Sequence, residues 1–297
     1  MKRVKKRMLA GKVLSGAFLL IMAAVCLLGL GKTVDGLLAE EKAGQRVDFS
    51  ANPEENVDKS SRADEDRLIT SKERAKEHEA VAVFASKHSL SLTAWPGELL
   101  ELLEKNPETE EFVLNYPLKK DMSFEIDLTE YEKCDTVPLF LQWDERWGYT
   151  QYGSNVMGLT GCGPTCLSMV CVHLFKDASY TPRYIADFAE ENDYYVEGSG
   201  STWTLIFKGG ETLGLDVVEI SLDENRMMKN LELGNPIICI MGPGDFTTTG
   251  HFIVLTGCRD GKFVVNDPNS RLNSERLWSF EKIKGQIKNL WVCRLPE

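Results

Sequence analysis

The chain has 297 residues, 43% apolar and 27% charged, enough for one or two domains with a core that folds without staples. Its formal net charge is −11; six basic residues (Lys2, Arg3, Lys5, Lys6, Arg7, Lys12) lie in 1–31, which holds no acid, so the rest carries −17. Such a surface excludes a basic groove for nucleic acid, and the composition excludes collagen-like, low-complexity and wholly disordered chains.

Residues 13–30 read VLSGAFLLIMAAVCLLGL, without a charge. At about 1.5 Å per residue they span about 27 Å, enough for the hydrocarbon layer of a membrane. The basic cluster before them keeps a tail, 1–12, in the cytoplasm by the positive-inside rule and sends the rest outside. Leu28-Gly29-Leu30-Gly31 is a poor signal-peptide cleavage site, and Val25 before Cys26 is too bulky for a lipoprotein signal. The expectation is an uncleaved, single-pass transmembrane anchor over 13–31.

Residues 41–80 hold 19 charged side chains and one aromatic, Phe49. Too little apolar surface is present there to fold alone, so 32–90 reads as a charged tether, helical near 71–87. A small helical lead-in follows over 91–130. Trp95-Pro96-Gly97 starts a helix with Leu99, Leu100, Leu102 and Leu103 on one apolar face. Asn106-Pro107 interrupts it, a second helix runs through Phe112-Val113-Leu114, and Tyr116-Pro117 is expected to stop that.

The remaining segment, 131–297, reads as one domain, dense from Val137. Residues 162–175 are apolar almost all round, as a buried central helix requires. Thr181-Pro182 opens a second helix, and 202–213 and 223–233 suggest two more. Strands are predicted over 237–241, 251–257, 262–266 and 290–295. Helices first and an antiparallel sheet afterwards predict an α+β fold.

Within this domain Gly158-Leu159-Thr160-Gly161-Cys162-Gly163-Pro164-Thr165 leads directly into the buried helix. A thiolate on Cys162 would face the amide dipoles of the helix start, which favour its nucleophilic form. Flanking glycines let a substrate backbone approach, and free N–H groups can stabilise an oxyanion. Cys166 and Cys171, further along, read as small buried hydrophobes. A thiol nucleophile wants an imidazole base. His78 and His88 lie in the tether, and His173 stands about 16 Å along the helix of Cys162, too far for proton transfer. His251, at the mouth of a buried strand, is the expected base. Asp260-Gly261 marks the turn to the next strand. A two-residue loop would put Asn266 opposite Leu255, too far along. A three-residue loop, Arg259-Asp260-Gly261, puts Asp267 opposite Ile253, diagonal to His251 at about 7–8 Å between backbones. Asp267 is therefore the expected orienting group, in preference to Asn266.

Leu141-Gln142-Trp143-Asp144-Glu145-Arg146-Trp147, Gly161-Cys162-Gly163-Pro164-Thr165, Gly250-His251-Phe252 and Asn266-Asp267-Pro268 together resemble the papain-like cysteine peptidases of the double-glycine-leader (bacteriocin-processing) peptidase-like family. The resemblance covers 137–297, and the lead-in around 95–117 also resembles segments that precede that domain. It implies a papain-like fold, a buried central helix packed on an antiparallel sheet, and a site in which Cys162 attacks, His251 is the base, Asp267 orients it and Gln142 donates to the oxyanion. Gln142 departs from the transporter-linked members in lying twenty residues before Cys162. The chain lacks the transporter and ATPase domains, so bacteriocin export is not implied.

Seven cysteines follow the anchor: Cys134, Cys162, Cys166, Cys171, Cys239, Cys258 and Cys293. Without the nucleophile six remain, so bridges are arithmetically possible outside the cell. Cys239, Cys258 and Cys293 read better as core thiols. No Cys/His pair has zinc-ligand spacing, and no metal or cofactor is expected. Trp143, Trp147, Trp203 and Trp278 read as core. The predicted function is a membrane-anchored extracytoplasmic cysteine peptidase (a thiol hydrolase), its catalytic domain outside the cell membrane, acting on a peptide or protein substrate and meeting the membrane through its N-terminal helix. The alternatives are a cell-wall peptide amidase and a catalytically silent peptide-binding module on the same fold.

Overall fold

The computed structural model describes residues 70–76 and 78–297; the expected tail, the anchor and most of the tether lie outside the described residues. Among the described residues no helix is long and apolar enough to cross a membrane. The lead-in is built from α1 (Glu79–His88), α2 (Gly97–Lys105) and α3 (Glu110–Lys119). α1 falls in the stretch expected as tether, yet it packs. Val81 and Ala85, four apart on one face, are buried with Trp95, Leu99 and Leu100, while Glu79 and Lys87 stay exposed. Arg74, just before it, pairs with Glu101 of α2 at 2.7 Å.

The expected stop at Tyr116-Pro117 does not occur, and α3 runs on to Lys119. A proline cannot donate to the carbonyl four residues back. That carbonyl, on Val113, instead accepts a hydrogen bond from Trp95 Nε1 at 2.7 Å. The buried acceptor is satisfied, so the helix has no reason to break.

α4 (Cys162–Phe175) is the central helix, buried at every position from 163 to 172. α5 (Pro182–Glu191) begins at Thr181, whose hydroxyl accepts from the Tyr184 amide at 3.1 Å. The helix predicted over 202–213 is a π-helical turn, Leu205–Gly209, followed by one α-turn, Gly210–Leu213. Strand β1 (Asp216–Glu219) comes next, then α6 (Glu224–Glu232), capped by Asp223 through a bond from the Arg226 amide at 2.8 Å. β2 (Ile237–Met241), β3 (His251–Arg259), β4 (Lys262–Asn266), β5 (Leu277–Trp278) and β6 (Ile287–Arg294) complete a sheet of order β1-β6-β2-β3-β4-β5. Every neighbouring pair is antiparallel. The fold is α+β.

Strand alternation divides the core in two. Ile238, Ile240, Phe252, Val254, Trp291 and Cys293 join the cluster around α4. Ile237, Cys239, Ile253, Leu255, Leu290 and Val292 join the cluster that holds Met227 and Leu231 of α6. β2 is buried throughout, which explains its unbroken apolar sequence. Among the described residues every cysteine is free. Cys166, Cys171, Cys239 and Cys293 are core thiols, whereas Cys258, expected with them, is half-buried.

The hairpin between β3 and β4 differs from expectation in an instructive way. Asp260 (φ 53°) and Gly261 (φ 68°) are both left-handed and Arg259 pairs with Lys262, so the loop has two residues, not three. The extra residue sits inside β3, where the register shifts between Leu255 and Gly257 and leaves Thr256 as a bulge. Beyond it Val254 pairs with Asn266. Carried one residue further, this is the register that brings Asp267 level with Ile253. Asn266 is used elsewhere: its Nδ2 donates to Pro138 O at 2.9 Å and Val137 O at 3.2 Å.

The Trp95–Pro117 compensation is testable. Trp95→Phe keeps the ring but orphans the Val113 carbonyl, and should cost about 1–3 kcal/mol in urea unfolding. Pro117→Ala restores an N–H for that carbonyl. It should recover much of the loss in the Trp95→Phe background while adding little to the parent chain.

Candidate active site

The short helix Met157–Thr160 ends at Gly161, and α4 starts afresh at Cys162. The break leaves the first-turn amides of α4 without intrahelical partners, directly beside the Cys162 thiol. A Cβ on Gly163 would lie 2.6 Å from Ser201 Oγ, so only glycine lets the Gly200–Ser201 strand come this close to the helix start. Ser201 in turn bonds the Tyr152 hydroxyl at 2.7 Å.

His251 opens β3 and is 7% exposed; Asp267, just past β4, is 1% exposed. His251 Nε2 donates to Asp267 Oδ1 at 2.7 Å. That leaves Nδ1 for Cys162, which interacts with the imidazole electrostatically and lines the same two cavities. Three groups from three elements thus come together: thiol, imidazole, carboxylate. The carboxylate is held in turn, with Oδ1 accepting from the Asn269 amide and Oδ2 from Asn273 Nδ2, both at 2.8 Å. Asn269 and Asn273 are the partners that sequence reasoning missed, since a polar loop after Asp267-Pro268 carries no periodic signal.

The electrostatics follow from this arrangement. Burial alone would push the Cys162 thiol up. His251, with the amides of Phe252 and Gly163, outweighs it and holds the thiol below its ordinary value. Burial would likewise discharge His251, but the Asp267 carboxylate and the Cys162 sulfur raise it to about 10. Both shifts favour a thiolate–imidazolium pair that titrates as a unit. Burial drives Cys166 and Cys171 on the same helix the opposite way, well above the ordinary thiol. The other histidines lie elsewhere: His78 beside Glu104, His88 stacked on Phe84, His173 near the far end of α4.

Gln142 comes to the site by a different route. Its backbone N–H donates to Pro268 O at 2.7 Å, and Trp143 Nε1 donates to Asn269 O at 3.1 Å, so the 142–143 segment is tied to the loop after Asp267. Its Nε2 donates to Gly158 O at 2.8 Å, leaving one amide hydrogen over, while Oε1 is buried without a partner. Two cavities flank the thiol and imidazole. One, of about 490 Å³, is walled by Val196, Trp203, Ile240 and Phe252. The other, of about 560 Å³, is walled by Leu102, Lys105, Asn106, Gln142 and the 244–250 loop. Trp203, expected in the core, is 47% exposed on the wall of the first cavity. A third cavity, of about 630 Å³, bordered by Tyr116, Tyr149 and Arg183, contains none of the three groups.

The peptidase C39-like family pattern matches residues 134–293, more than half of the chain. The chain belongs to that family. All four candidate residues, Gln142, Cys162, His251 and Asp267, fall inside the matched segment. Solved C39 structures are also similar to it. One is the peptidase domain of Streptococcus ComA, a bi-functional ABC transporter involved in a quorum-sensing pathway, at 20% identity and a TM-score of 0.38, covering 46% of this chain and 93% of that one. Another is a C39-like peptidase from Bacillus anthracis, at 14% identity and a TM-score of 0.32, covering 58% and 98%. At such scores these likenesses add nothing to the sequence match. No protein of curated function matches the chain in sequence. The lead-in of this C39-like protein, including the wall formed by α2, precedes the matched segment.

The charge pair has a pH signature. Below the lowered thiol value Cys162 is protonated and inert, so its alkylation by iodoacetamide should rise with pH to a plateau. The midpoint should lie below that of an ordinary thiol, and His251→Ala should move it up. Cys166 and Cys171 should stay unlabelled in the folded chain. Peptide mapping by mass spectrometry at each pH checks all three thiols at once.

Proposed function

We propose that this C39-like protein is a cysteine peptidase that cuts within peptide or protein chains. The observation that carries the reading is the thiol–imidazole–carboxylate set lying between two cavities, with room for a chain to continue on both sides of Cys162. The Cys162 thiolate attacks the scissile carbonyl carbon. The carbonyl electron pair moves onto oxygen, where the spare Gln142 amide hydrogen and the first-turn amides of α4 can stabilise the oxyanion. Collapse breaks the C–N bond as the His251 imidazolium gives its proton to the leaving amine. Neutral His251 then takes a proton from water as the water oxygen bonds to the acyl carbon, and collapse breaks the C–S bond, releasing the acid and restoring the thiolate. Asp267 keeps the imidazole oriented throughout and stabilises its charged form, without itself taking the proton.

The same reading has the chain anchored through 13–31 in the cell membrane, with the peptidase domain outside. It is supported by the basic cluster ahead of an uncharged run of eighteen residues. The strongly negative remainder supports a peptide or protein partner and no nucleic acid.

A peptide-library digest tests the chemistry. Cys162→Ala should abolish cleavage, a loss of about 10⁴-fold or more, with an unchanged far-ultraviolet spectrum. In single-turnover rates His251→Ala should cost most of the chemical rate, Asp267→Ala less, and Asn266→Ala least. Alkylation of Cys162 without any cleaved peptide would leave the cell-wall amidase, which digestion of purified wall tests, and absence of both would leave a binding module. For the location, a reporter fused after Glu297 should be exported, and high-salt washing should not strip the protein from membranes. Recovery of a soluble form beginning near residue 33 would overturn the anchor.

A further inference from the structure

The loop that carries Asp267 is held from outside the family segment. Asn106 caps the end of α2, and its Nδ2 donates to Asn269 O at 2.5 Å. Two residues on, in the Pro107–Thr109 turn, the Glu108 carboxylate grips the loop by both oxygens. Its Oε1 accepts from Ser270 Oγ at 2.6 Å and from the Leu272 amide at 3.4 Å, and Oε2 accepts from the Arg271 amide at 2.9 Å. Ser270 caps the Arg271–Ser274 turn, and that turn supplies the partners of Asp267. Asn273 Nδ2 reaches Asp267 Oδ2 at 2.8 Å, and Ser274 Oγ accepts from the Asp267 amide at 2.9 Å.

The other ties to the turn run to its carbonyls and to Arg271, which lies over the Trp143 ring at 5.4 Å. Leu272 is 54% exposed, so no apolar side chain of the turn anchors it there. Trp143 and Trp278 hold the carbonyls of Asn269 and Asn273. Glu108 is the acceptor that the loop's own N–H and O–H donors find outside the loop, among the described residues.

We propose that Glu108 is a positioning residue of the active site, fixing the 267–274 turn so that Asn273 and Ser274 hold Asp267 against His251. This rests on the peptidase reading and makes the lead-in, which precedes the family segment, a working part of the catalytic unit.

The test uses the full chain and iodoacetamide, which reads the Cys162–His251 pair whether or not any peptide is cut. Asp267→Ala should move the alkylation midpoint of Cys162 up. Glu108→Ala should move it the same way by less and lower single-turnover cleavage about 10-fold, as loss of a supporting partner does at other preorganised sites. Glu108→Gln, which keeps one acceptor on a side chain of the same size, should fall between Glu108→Ala and the parent, and it carries the test if the alanine variant does not fold. Glu110→Ala, exposed on the next turn, should change nothing. Because Glu108 acts through Asp267, the Asp267→Ala/Glu108→Ala double variant should match Asp267→Ala alone. An unmoved midpoint in both Glu108 variants, or additive shifts in the double variant, overturns the proposal. If the parent chain cuts no peptide while the midpoint shifts are as expected, the peptidase reading falls and the positioning role stands. If Asp267→Ala itself leaves the midpoint unmoved, both fall.

Discussion

A carboxylate removed from water must have every lone pair answered, or its burial costs several kcal/mol. Asp267, at 1% exposure, is that group here, and much of the domain is arranged around answering it. One oxygen takes His251 and the Asn269 amide, the other takes Asn273. Each of those partners sits on a different piece of chain, so satisfying one buried charge fixes a strand, a loop and a turn relative to one another. The imidazole then inherits a fixed orientation and an opposite charge at 2.7 Å, which is what makes a neighbouring thiolate affordable at the start of α4.

Whether Asp267 or Asn266 meets His251 depends on one residue of register, and the structure reaches the register by a means that sequence patterning does not show. Asp and Gly both accept left-handed backbone, so the turn closes in two residues as tightly as it can. The surplus residue is absorbed at Thr256, next to Gly257, where a strand is weakest. A longer loop and a bulge displace the partner strand equally, so the expected side-chain pairing holds although its expected cause does not. The bulge is invisible from sequence because it leaves the apolar alternation on its N-terminal side, from Phe252 to Leu255, undisturbed.

Legibility elsewhere follows the same rule, that burial writes a pattern and local polar bonding does not. α4 and β2 are buried all round and read as unbroken apolar runs. The edge strands β1 and β5, four and two residues long, offer no period to find. α1 reads as helical, but the charged run before it hides that it packs, and α3 outlasts its proline because Trp95, twenty-two residues before that proline, supplies the missing donor. Gln142 illustrates the limit most clearly. Twenty residues of separation from Cys162 say nothing of distance once its backbone is tied to Pro268 and the two side chains line one cavity.

The cysteines show how far environment, rather than residue type, decides chemistry. Cys162 and Cys166 are one turn apart on one helix, the first half-buried and the second fully buried, and their acidities move in opposite directions. Shielding by itself raises both. What separates them is that the first turn has amides with nothing else to do and an imidazole across the cleft, while one turn later every amide is committed to the helix. Cys239 and Cys293, enclosed by the sheet, follow Cys166 upward. Of the thiols whose acidity departs from the ordinary, Cys162 alone moves down, and it does so at the point where a glycine breaks two helices apart. The interruption at Gly161 is therefore the local feature on which nucleophilicity turns: were the helix continuous through 157–175, its amides would be spent before they reached the sulfur.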